Sequence, residues 1–267
     1  MRFDESGCAD NNFMRELTEG DEGQFYSRVW EAIVYDRLAS NRWSLRATQA
    51  GPDFRVDTEF GLVQIEAVVP APQGIPSEWL ADPEPFKVLT HPHEAILLRW
   101  TSAISAKSTK QLLDIEKKAA DSDAPFVIAL NSCRLSRMRE DFGISQWPYA
   151  VEAVFPIGPV AVSLNRTTLE SSEAYQSQRF AITNKNGAEI PTTIFTDPKN
   201  AHISAIVGAS ALFEPAANEG SNPATVSFVT VNNPYARNPL PKGWLPNALE
   251  YYAEIDSAGD LLLSRPS

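Results

Sequence analysis

Cysteine is nearly absent: the 267 residues hold two, Cys8 in a polar stretch and Cys133 after an apolar run. Two thiols so placed exclude a disulfide framework and a cysteine-rich zinc site, and reduced thiols are the expectation. Histidine is almost as scarce, with three residues. His91 and His93 share a His-Pro-His tripeptide, but His202 lies far along the chain, so a histidine zinc site lacks a nearby third ligand. No apolar run approaches the roughly 18 residues of a membrane-spanning helix. The first residues, MRFDESGCADNN, lack the basic and apolar regions of a signal peptide. A soluble, cytoplasmic protein with no membrane partner is therefore expected. Gly-x-Gly-x-x-Gly and Gly-x-Ser-x-Gly are both missing, and no glycines precede Lys107-Ser108-Thr109, which disfavours nucleotide and serine hydrolysis. Basic charge is also in deficit, with 23 Lys and Arg against 34 Asp and Glu and a net charge of −11. Affinity for nucleic acid comes largely from cations displacing counterions on phosphates, so a broad DNA-binding surface is disfavoured. A local basic groove with a bound divalent cation is still compatible with that balance.

What is present has the pattern of an α/β domain. Residues 1–20 are polar and acidic without hydrophobic period and read as a loosely ordered lead-in. Residues 21–267 read as one elaborated domain, with a core over 24–135 and a β-rich extension of the sheet over 136–267. Phe25, Val29, Trp30, Ile33, Val34 and Leu38 recur at helical spacing, which predicts a helix over 24–39. A short strand follows over 43–48, then turn chemistry at Ala50-Gly51-Pro52-Asp53 and strands over 54–58 and 62–69 joined at Glu59-Phe60-Gly61. Six prolines between 70 and 93 predict a long surface loop. A second helix over 94–120 and a buried strand over 126–130 complete an α-β-β-β-α-β order around a central mixed sheet. Further strands are expected to extend that sheet over 149–162, 203–207 and 225–231. Asn186-Gly187, within the polar stretch 165–200, suggests an inserted hairpin.

Two carboxylates carry the chemistry. Asp53 stands at the presumed hairpin, and Glu66 interrupts the apolar run Val63-Gln64-Ile65-Glu66-Ala67-Val68-Val69. A carboxylate in such a run is paired, protonated or coordinating a cation, because burying it alone is costly. Acids brought together from adjacent strands make an oxygen-rich site suited to Mg²⁺ or Mn²⁺. The bland alternative places Glu66 on an exposed sheet face and leaves Asp53 to stabilise a turn. Glu31 adds a third acid at the edge of the first helix's apolar face, where an ordinary flanking Glu is the competing reading.

A helix with an internal Glu, a Pro-Asp at a hairpin, a Glu in a central strand, then helix and strand resembles the PD-(D/E)xK nuclease superfamily over residues 24–131. The resemblance implies a restriction-endonuclease-like core. It implies metal binding by Asp53, Glu66 and Glu31, with the Ala67 carbonyl as a further oxygen ligand. It also implies a Mg²⁺- or Mn²⁺-dependent nuclease acting on DNA, with a loose fit to bacterial defence. The departure is Val68, which stands where the pattern has lysine and cannot orient water. The resemblance allows a basic residue from the following helix to substitute. Lys107 is the first candidate, bordering the stripe of Leu97, Trp100, Ile104 and Ile115, and Arg99 the second. Lys110, Lys117 and Lys118 are read as a solvated face. The alternative is an inactive nuclease-like module that binds nucleic acid or a protein partner, and homodimerisation is left open.

Overall fold

The computed structural model describes the chain except residues 1, 2, 4, 5, 47, 49, 83–85, 137–141, 211–225, 258–260 and 265–267. The chain begins with α1 (Phe13–Glu19), α2 (Glu22–Ala39), β1 (Ser44–Arg46), β2 (Phe54–Thr58) and β3 (Gly61–Val68). It continues through α3 (Ser77–Leu80), α4 (His93–Glu116), β4 (Phe126–Asn131) and α5 (Tyr149–Glu152). The later strands are β5 (Ile157–Ala161), β6 (Tyr175–Gln178), β7 (Ala181–Thr183), β8 (Glu189–Pro191), β9 (Ala205–Ala209), β10 (Val229–Asn232), β11 (Leu249–Ile255) and β12 (Leu261–Ser264).

Eight strands form one mixed sheet in the order β1-β2-β3-β4-β9-β10-β11-β12. The antiparallel β1-β2-β3 meander is followed by β4 parallel to β3 and β9 parallel to β4. Parallel pairing of β3 and β4 requires a crossover, and α4 supplies it.

Side chains alternate across the central strands and divide the interior into two layers. On one face Val63, Ile65 and Ala67 of β3 pack with Trp30, Val34 and Leu38 of α2. On the other, Phe126, Ile128 and Leu130 of β4 pack with Ile96, Leu97, Trp100 and Ile104 of α4. Trp30, at 0% exposure, also donates from Nε1 to the Ala129 carbonyl at 2.9 Å, fixing α2 against β4. The start of α2 lies two residues before the periodic stretch because Asp21 and Gln24 form a capping box, each side chain accepting from the other's backbone N–H at 2.9 Å.

Several expectations change. Where an unpatterned lead-in is expected, α1 forms, and Phe3 and Phe13 enter the core beside Tyr35. The stretch over 149–162 does not extend the main sheet: it holds α5 and then β5, which pairs with β6 in a separate two-stranded sheet. Pro148 opens this short helix, and all of its residues are buried, so an apolar run there has no exposed positions to reveal a helical period. The 203–207 and 225–231 stretches do yield β9 and β10 in the main sheet, although residue 225 lies outside the described residues. The Asn186-Gly187 turn closes the β7–β8 hairpin, with Gly187 at φ 79°. No described helix is long and apolar enough to cross a membrane.

Candidate functional site: a carboxylate pair under a lysine pair

The β2–β3 register pairs Phe54 with Ile65, which carries Asp53, just before β2, to the position facing Glu66. Alternation puts Glu66 on the α4 side of the sheet, opposite in direction to Ile65 and Ala67. Its side chain is 3% exposed. A buried carboxylate needs compensating charge, and α4 provides two ammonium groups. Lys107 Nζ lies 2.7 Å from Glu66 Oε1. Lys110 Nζ lies 2.8 Å from Oε1 and 2.7 Å from Oε2 of the same carboxylate, and donates to the Gly51 carbonyl at 2.8 Å.

Gly51 reaches that position because its φ of 94° favours glycine, and because a side chain there would overlap the Ala119 carbonyl. Asp114, a turn beyond Lys110 on α4, sets its Oδ2 3.5 Å from Lys110 Nζ. That oxygen is buried and accepts no hydrogen bond among the described residues. Burial pulls the Lys110 pKa down, but its hydrogen bond to Glu66 and the charges of Glu66, Asp53 and Asp114 outweigh this and hold the ammonium above its ordinary range.

Asp53 accepts from the Ala67 N–H through Oδ2 at 2.7 Å. Its other oxygen takes no hydrogen bond among the described residues. Burial, and next the Glu66 charge, push the Asp53 pKa up to about 6 against the pull of Lys107 and Lys110. Glu31 sits on α2, paired with Arg28 at 2.8 Å, and Arg28 also holds Glu16 at 2.6 Å and Asp10 at 3.0 Å. Burial and then the Asp53 carboxylate raise Glu31 to about 7. Of the expected residues, the structure thus brings together Asp53, Glu66 and Lys107, with Ala67 present through its N–H and Glu31 felt electrostatically.

Arg99 is not part of this group. Its guanidinium lies 3.5 Å from Gln73 Oε1, on the proline-rich segment. It precedes Lys107 by eight positions on α4, about 12 Å along the axis. Lys110 corrects the opposite way, since a solvated position is expected and the structure gives it more contacts to Glu66 than Lys107 has. A helical wheel centred on the apolar stripe misses this because the partner is a buried acid on the sheet. The readable signal is spacing: Lys107, Lys110 and Asp114 stand at i, i+3 and i+7, one flank of a helix. Lys117 and Lys118 are exposed, as expected.

The His-Pro-His motif serves another cluster. His93 Nδ1 lies 3.1 Å from Tyr149 Oη, and its Nε2 lies 2.9 Å from both Glu152 Oε2 and Arg179 Nη1. Tyr149 Oη also lies 3.5 Å from His91 Nε2. His202 is elsewhere, 2.7 Å from Ser108 Oγ in the middle of α4. The three histidines do not converge.

Among the described residues no group of three or more His, Cys, Asp or Glu side chains is arranged to hold a metal ion. The donors that do converge, Glu66 with the Gly51 carbonyl and Asp53 opposite, are hard oxygens suited to Mg²⁺ or Mn²⁺ rather than to zinc. In donor chemistry this set fits a hard divalent cation, drawing on two carboxylates and backbone oxygen. No family model, curated protein or solved structure matches this chain.

Proposed function

We propose that this chain is a divalent-metal-dependent nuclease hydrolysing phosphodiester bonds in DNA, on a restriction-endonuclease-like core formed by α2-β1-β2-β3-α4-β4. The observation that carries this reading is Glu66, a buried acid in a central strand, facing Asp53 across the hairpin and held by Lys107 from α4, while Val68 stands at the position of the missing lysine. Asp53 and Glu66 are the residues to hold Mg²⁺ or Mn²⁺. When bound, such a cation lowers the pKa of water and offsets charge on the phosphate. Lys107 places an ammonium at the carboxylate pair, where it orients a nucleophilic water or a phosphate oxygen. The layers of apolar side chains on both faces fix these groups against movement.

A second reading is favoured by one observation: both ammonium groups are already paired with Glu66, as in a purely structural ion cluster. In that case the chain is an inactive nuclease-like module that binds nucleic acid or a protein partner. One experiment separates the two: cleavage of supercoiled, linear and single-stranded DNA and of RNA with Mg²⁺ or Mn²⁺, beside Asp53→Ala and Glu66→Ala, with binding followed by fluorescence anisotropy. Metal-dependent cutting lost in both variants supports the nuclease. Binding without cutting, unchanged by the substitutions, supports the module.

A further inference from the structure

We propose that Lys110 is an internal plug of the cation position beside Glu66, and that Asp114 is the berth to which its ammonium moves when a divalent cation enters. This regulation rests on the proposed function above. The Lys110 ammonium lies within 2.8 Å of three oxygens, Glu66 Oε1, Glu66 Oε2 and the Gly51 carbonyl. These are the oxygens that a hard divalent cation takes as ligands. A divalent cation taking these same three oxygens would occupy the position of the Lys110 ammonium itself, and the two charges would repel at contact. Metal entry therefore requires Lys110 to leave.

The place it goes is already built. Asp114 Oδ2 is buried, accepts no hydrogen bond among the described residues and stands 3.5 Å from Lys110 Nζ. A rotation of the flexible lysine stem away from Glu66 that closes this gap to hydrogen-bond length gives Asp114 Oδ2 a partner and frees Glu66 Oε2 and the Gly51 carbonyl, while Lys107 keeps its contact to Oε1. Lys110 is 40% exposed and has room for this movement. Lys107 differs: it is 22% exposed and touches Glu66 through Oε1 alone, so it stays at the site while Lys110 exchanges. The plug keeps Glu66 neutralised without metal and makes cation uptake a competition with an intramolecular ammonium.

The test is calorimetric titration of Mn²⁺ into the full chain as wild type, Lys110→Met, Asp114→Asn and the double variant. Lys107→Met serves as a charge-matched control, Glu66→Gln as the site control and Lys110→Gln as a second plug variant, with thermal melts confirming folding. The plug predicts that Lys110→Met binds Mn²⁺ about tenfold tighter than wild type, and Lys107→Met less than about threefold tighter. Asp114→Asn weakens binding in the wild-type background and leaves Lys110→Met unchanged, a coupling that plain loss of a negative charge does not produce. Equal affinities for Lys110→Met and Lys107→Met, or the same Asp114→Asn penalty in both backgrounds, overturn the plug alone provided wild-type binding depends on Glu66. No Mn²⁺ uptake by any form, or uptake indifferent to Glu66→Gln, overturns the carboxylate site and the plug with it.

Discussion

Lys107 and Glu66 are 41 residues apart in the chain, yet Nζ and Oε1 lie 2.7 Å from each other. The β3–α4–β4 crossover creates this meeting by laying α4 over the face of β3 toward which Glu66 points. Apolar packing of Trp100 and Ile104, both at 0% exposure, holds the helix there. The charge pair is thus a consequence of the core.

Neutralising Glu66 leaves two ammonium groups facing an amide at a buried strand. Both lysines reach solvent, which moderates the effect, so Glu66→Gln is expected to lose about 1–2 kcal/mol of stability. Lys107→Met, with Lys110 still in place, should lose less than about 1 kcal/mol. Urea unfolding followed by tryptophan fluorescence measures both, and an unchanged midpoint for Glu66→Gln contradicts the ion cluster.

Asp53 titrates at about 6 in the fold against 3.8 for an ordinary Asp, because of burial and then Glu66. Between those values the folded protein binds more protons than the unfolded chain, so stability falls as pH rises through that window. Above pH 6 the penalty is fully present. Asp53→Asn keeps an acceptor for the Ala67 N–H and removes the penalty. Without divalent cations it should melt roughly 2–4 °C higher than wild type at pH 8 and show little gain near pH 4. A gain of the same size at both pH values would refute the assignment.

Glu152 is 0% exposed, bonded to Ser145 Oγ and Arg179 and 2.9 Å from His93. Removing one member of such a buried set strands the others, and Glu152→Ala should cost about 3–5 kcal/mol. Gly143→Ala tests the same packing from outside, since a methyl there would overlap Glu152 Oε1. It is expected to lower the melting temperature without any change of charge.

Burial pushes the Cys133 thiol up to about 12. Reactivity follows the thiolate and access to it. In the folded protein at pH 8 a maleimide should label Cys8, which is half-buried, well before Cys133. Mass spectrometry of peptides reads the order, and equal rates would show that Cys133 is open to solvent.

The N-terminal half was legible because its signals are local and strong. Trp30, Val34 and Leu38 mark α2 by helical spacing, and the glycine-bearing turn before Leu62 places β2 and β3 within one residue of their observed ends. Asp53 and Glu66 stood out as acids at a hairpin and inside an apolar strand. Lys110 did not, because its role depends on a carboxylate across the layer and not on its neighbours in α4. Gly51 read as a turn residue, and nothing local revealed that its carbonyl faces a lysine 59 residues away. Strands are likewise expected only as far as residue 231, while β11 and β12 are held by pairing at the far edge of the sheet, a long-range contact that short-range pattern does not encode.

Nuclease function at Glu66 stands or falls on the initial rate at which the protein nicks supercoiled DNA in Mn²⁺, measured for wild type beside Glu66→Gln. Metal-dependent nicking is expected, falling about a hundredfold or more when the carboxylate is neutralised. Nicking at equal rates in both proteins, or none by wild type at any Mn²⁺ concentration, would contradict it.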